Sequence, residues 1–78
     1  MRQKTPCAVV TFHTTAEAMA AEKLFSARAI EGRLVPAPRS LTADCGIAWR
    51  SPAALRDALD AALRESGIDC DGLHIIDL

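Results

Sequence analysis

The sequence predicts an α+β domain of the ferredoxin-like kind: β-α-β-β-α-β, a four-stranded antiparallel sheet with two helices on one face. Three observations carry that prediction. A continuous apolar, β-branched run at Cys7–Phe12 leads directly into a helix-start signal. Apolar residues then recur at helical spacing from Leu55 to Leu63, and the chain closes on a second strand-like run from Gly72 to Leu78.

In order, Met1 to Pro6 is polar, with Arg2 and Lys4, and reads as a loose lead-in. Cys7–Phe12 reads as a central strand. Thr14 with Glu17 makes a Thr-x-x-Glu capping box that opens a helix running to about Ala27. Its expected buried stripe is Ala20, Ala21, Leu24 and Phe25, with Glu22, Lys23 and Arg28 in water. Ile30–Pro36 reads as the second strand, interrupted by Gly32 and ended by a proline. A third short strand is expected over Gly46–Arg50. Ser51-Pro52 then supplies an N-cap and a proline for the first helical position. Leu55, Ala58, Leu59, Ala62 and Leu63 mark the buried side of that second helix, and Gly67 stops it. Gly72–Leu78 is the fourth strand. The length fits one domain spanning residues 1–78, with a modest core that is marginal alone or helped by a partner.

The least regular stretch, Pro36 to Arg50, is where the candidate chemistry lies. Pro36 and Pro38 exclude a helix, and Ser40, Thr42 and Asp44 favour turns. Cys45-Gly46 follows. Glycine there lets the backbone turn sharply and a reactant approach closely. Arg39 and Arg50 bracket the thiol in sequence, and either one close in space would favour thiolate.

Composition narrows the function. A net charge of −1 argues against nucleic acid as partner, and Phe12, Phe25 and Trp49 are the only aromatic residues available for stacking on bases. No run is long enough to cross a membrane and no signal-peptide core is present, so no membrane partner is expected and the compartment is read as cytoplasmic. Three cysteines, Cys7, Cys45 and Cys70, are read as free thiols of a reducing compartment. There is no Cys-x-x-Cys pair, so no metal site is expected. Without a phosphate-cradling glycine loop, no cofactor is expected either, and no Ser-His-Asp set can be assigned.

Cys45 has two open readings: a nucleophilic or sulfur-carrying thiolate poised by Arg39, or a small buried hydrophobe at a strand start. Cys7, in a core strand, is read as structural, and Cys70, between Asp69 and Asp71, as incidental, because that charge raises its pKa. His13, after the first strand, is either a helper base or anion donor near Cys45, or a surface residue at the helix entry. The second reading is preferred, since no third residue visibly orients it. His74 is expected to face outward from its strand and Trp49 to lie in the core or an interface. The apolar open face of the sheet invites a homodimer or docking onto a larger protein.

Phe12 with Thr14 and Thr15, then Ala18 with Glu22 and Lys23, then Pro38-Arg39-Ser40 and Cys45-Gly46 form a pattern over Cys7–Leu78. On it the chain resembles a family of small bacterial proteins described as selenium/sulfur carrier-like. It does not carry the Cys-Pro-x-Pro motif of the better-known sulfur-relay proteins. The resemblance implies a carrier more than an enzyme with its own turnover. Cys45 would hold a persulfide or selenopersulfide, Arg39 would steady the bound anion, Gly46 would admit a partner's active site, and His13 would assist. A cysteine desulfurase-type donor would load the thiol and a thiol or selenium-pathway acceptor protein would unload it. The alternative is a non-catalytic regulatory module that dimerises or binds a small ligand or larger protein.

Overall fold

The computed structural model describes residues 5–41 and 46–78. They form β1 (Pro6–Thr11), α1 (Thr15–Ala27), β2 (Arg33–Pro36), β3 (Ile47–Pro52), a 3-10 turn (Ala53–Leu55), α2 (Arg56–Ser66) and β4 (Gly72–Asp77). The strands make one sheet in the order β2-β3-β1-β4, and every neighbouring pair is antiparallel. This is the ferredoxin-like α+β arrangement that the sequence predicts.

β1 sits between two partners because its side chains can be buried on both faces. Ala8, Val10 and Phe12 join Ala18, Ala21 and Phe25 of α1, Trp49 of β3, and Leu59, Ala62 and Leu63 of α2 in the main core. Phe25 packs on Trp49 with ring centroids 4.9 Å apart and tilted by 53°, a geometry that suits the ring quadrupoles. On the opposite face Cys7, Val9 and Ala48 form a smaller buried group, covered by Ala37, Leu41, Ile76 and Leu78. The chain thus covers part of its own open face.

Several expectations shift. In α1 the buried alanines are Ala18 and Ala21, whereas Ala20 is exposed; residues 18, 21 and 25 share one helical face and residue 20 lies off it. The capping box forms as expected: Thr14 Oγ1 accepts from the Glu17 N–H, and Glu17 Oε1 accepts from the Thr14 N–H. β2 begins at Arg33 rather than Ile30, because Ala29 (φ 56°) and Gly32 (φ 155°) bend the chain between them. Ile30 instead packs against the main core.

Ser51 and Pro52 are the clearest correction. They close β3 instead of capping a helix, and α2 starts at Arg56 after the 3-10 turn, with no side-chain cap. Ser51 is buried and its hydroxyl is committed elsewhere: Trp49 Nε1 donates to it at 2.6 Å, and it donates to the Glu31 carbonyl at 2.6 Å. Ala58, placed in the buried stripe of α2 by spacing, is exposed, while Leu59, Ala62 and Leu63 are buried. Gly67 ends α2 in the left-handed conformation (φ 73°), with its N–H on the Leu63 carbonyl, as expected of a C-terminal glycine. Of the expected lead-in, Met1 to Lys4 lie outside the described residues. Thr5 exchanges two backbone hydrogen bonds with Leu78, both 3.0 Å, and Pro6 already belongs to β1.

Candidate functional site

The β2–β3 hairpin positions the candidate loop. The ladder runs from Arg33↔Arg50 to Pro36↔Ile47, and one further bond, Ala37 N–H to the Gly46 carbonyl at 2.9 Å, fixes the two ends of the loop opposite each other. Beyond Ala37 the Leu41 N–H donates to the Pro38 carbonyl at 3.0 Å, the closing bond of a β-turn over residues 38–41. Arg39 and Ser40 stand exposed on this turn. Ala37 and Leu41 pack onto the Cys7–Val9–Ala48 group beneath it. The apolar residues thus anchor the loop and Arg39 is left in solvent.

Gly46 is exposed with φ 74°, and a Cβ built on it meets nothing within 4 Å. Its requirement for glycine is therefore conformational, in line with the expected sharp turn. Beside it Leu34, Val35, Pro36, Gly46 and Ile47 line an open apolar depression of about 310 Å³. Cys45, with Thr42 and Asp44, lies outside the described residues.

His13 ends the same side of the sheet. Its backbone N–H donates to Glu17 Oε1 at 2.9 Å, and its ring Nδ1 lies 3.9 Å from Asp71 Oδ1. Asp71 is a partner that the sequence reading missed. It is also tied to β1: its N–H donates to the Thr11 carbonyl at 2.7 Å, and the buried Thr11 hydroxyl donates to Asp71 Oδ2 at 3.1 Å. That hydroxyl is left able to accept from His74 Nε2, 3.3 Å away. His74 lies on the open face, as its alternation predicts, but half-buried, and Gly72 makes room for it: a Cβ there would fall 2.7 Å from Nε2. The β1–β4 register, Thr11↔Gly72 and Val9↔His74, brings these groups together. Only knowledge of the strand order would have revealed them.

The remaining candidates separate. Cys7 is buried and donates its thiol to the Thr5 carbonyl at 3.3 Å, the structural role expected of it. Cys70 is half-buried, and burial first, then Asp71, Glu17, Asp69 and Asp60, push its pKa up. The sequence reading named the acidic neighbours but not the burial. Trp49 is a core residue. Arg50 lies half-buried on the open face, the fourth residue of β3 and five residues after Cys45 in sequence. Among the described residues no group of three His, Cys, Asp or Glu side chains is arranged to hold a metal ion. No helix among them is long and apolar enough to cross a membrane.

Fold and site together define a small ferredoxin-like domain that presents a Pro-Arg turn and an exposed, left-handed Gly46 at one end of its sheet. Residues 7–75 match the family described as "Putative Se/S carrier protein-like", and the chain belongs to that family. No curated protein and no solved structure matches it.

Proposed function

We propose that this protein carries sulfur or selenium on Cys45, as a persulfide or selenopersulfide, between a cysteine desulfurase-type donor and an acceptor thiol or selenium-pathway protein. The observation that carries the reading is the hairpin end: Arg39 exposed on an anchored turn, and Gly46, next to Cys45 in sequence, exposed with a left-handed backbone. Family membership over residues 7–75 supports it, since the matched stretch contains the Cys-Gly pair. In the loading step the Cys45 thiolate attacks the terminal sulfur of the donor's persulfide. A new S–S bond forms, the donor's own S–S bond breaks, and its cysteine leaves as thiolate. In unloading, an acceptor thiolate attacks the terminal sulfur in the same way and Cys45 leaves. Arg39 favours the thiolate and the persulfide anion by its charge. The apolar depression beside Gly46 provides a surface against which a partner docks, and His13, oriented by Asp71, assists proton movement. The place of action is the cytoplasm, where thiols stay reduced.

The test is intact mass after incubation with a cysteine desulfurase and cysteine, for wild type, Cys7→Ser and Cys45→Ser. Sulfur added to the first two but not to Cys45→Ser is the expected result. No added sulfur on any of them, while Cys45 remains open to alkylation, would replace the carrier by the interaction-module reading.

A further inference from the structure

At the other end of the hairpin from Gly46, Arg33 and Arg50 are directly opposed across β2 and β3. Like charges facing each other on neighbouring strands repel, so two arginines at opposed positions that line one groove favour an anion between them. Neither enters an ion pair with any described carboxylate. Both instead line a groove of about 420 Å³, together with Cys7, Glu31, Ser51 and Pro52. A groove of that size suits a small molecule more than a bare ion. Arg50 is half-buried, so part of its hydration is already lost, and the low-dielectric floor strengthens its attraction for an anion. The floor is rigid: Gly32 lies so close to the Arg50 carbonyl, the Ser51 hydroxyl and the Trp49 ring that a Cβ there would collide with all three. The two arginine-bearing backbones are thereby held in register.

We propose that the Arg33–Arg50 pair and the groove it lines bind the oxyanion group of a small molecule. Two planar guanidinium forks can share one tetrahedral oxyanion through parallel charge-assisted hydrogen bonds, and the bound charge cancels their repulsion. The groove extends past the arginines to Glu31 and Pro52, where the rest of such a molecule would lie. The site is separate from the Gly46 loop, at the opposite end of β3, and it requires no reactive thiol.

The experiment is a titration of the labelled full chain with phosphate, sulfate and acetate at constant ionic strength, followed by amide NMR. The probes are wild type, Arg33→Gln, Arg50→Gln and Cys45→Ser. Saturable shifts centred on Gly32, Arg33, Arg50 and Ser51 are expected with phosphate and sulfate. Each arginine variant should weaken binding by about tenfold, the loss of one charge-assisted contact, and Cys45→Ser should leave it unchanged. Acetate should bind more weakly, because a single charge offsets only one arginine. Shifts that stay linear in anion concentration, or that survive in both arginine variants, would overturn the proposal. So would acetate binding as tightly as phosphate.

Discussion

Trp49 Nε1 donates to the Ser51 hydroxyl at 2.6 Å, two residues along the same face of β3, and Ser51 passes the bond to the Glu31 carbonyl at 2.6 Å. A large aromatic can be fully buried only if its N–H is satisfied. Ser51 does this and also ties the segment before β2 to the sheet. Ser51→Ala removes the acceptor of the buried Trp49 N–H and the donor to the Glu31 carbonyl. A loss of about 1–3 kcal/mol is expected, read as a lower urea midpoint with unchanged slope. A loss under about 0.5 kcal/mol, the level of an ordinary surface change, would mean that the Trp49 N–H finds another partner.

Gly32 and Gly46 both have positive φ, yet they should respond differently to alanine. At Gly32 the new Cβ meets backbone, hydroxyl and ring, whereas at Gly46 it meets open space. Gly46→Ala should therefore cost only the conformational strain, about 1–2 kcal/mol. Gly32→Ala adds a collision that the sheet cannot relieve without moving β3, and should cost clearly more. Ala29 gives the opposite sign. It holds φ 56° after α1, so Ala29→Gly relieves strain and should raise the melting temperature. Thermal unfolding of the three variants side by side checks the order.

The elements that were legible in the sequence are those fixed by neighbours in the chain. The Thr14–Glu17 capping box and the Gly67 stop need only residues within one turn. Ser51-Pro52 misleads because the same pair serves a helix start or a strand end. What decides it is Trp49 above and Glu31, which lies 20 residues away in sequence. At the site, the Pro38–Leu41 turn is local and readable, while the nearness of Asp71 to His13 and of Arg33 to Arg50 depends on strand order and register. A hydrophobic pattern names a strand's two faces but not which strand lies beside it.

If Arg39 favours the Cys45 thiolate, removing its charge should move the pH at which that thiol becomes reactive. Arg39→Ala should alkylate more slowly at pH 7, by about tenfold for each unit that the thiol pKa rises. The deficit should vanish at high pH, where both proteins are fully thiolate. Iodoacetamide labelling across pH, with peptide mapping to separate Cys45 from Cys7 and Cys70, gives the two profiles. Superimposable profiles would remove Arg39 from the carrier mechanism and leave it as a solvated turn residue.

Cys70 ties thiol chemistry to stability in the opposite direction. Burial and the carboxylates of Asp71, Glu17, Asp69 and Asp60 hold its pKa above the ordinary 9.0. In the unfolded chain those influences relax, so the unfolded thiol loses its proton first as pH rises. The folded protein then binds more protons than the unfolded one, and stability must fall with pH. Below pH 9.0 both states are protonated and the contribution is intact; the decline begins there and continues through the folded pKa. Cys70→Ser has no thiol to ionise, so its urea midpoint should fall less between pH 8 and 10 than that of wild type. Cys70 should also label more slowly than an unfolded control over this range. Equal slopes in the two proteins would mean that the acidic turn does not act on the sulfur in solution.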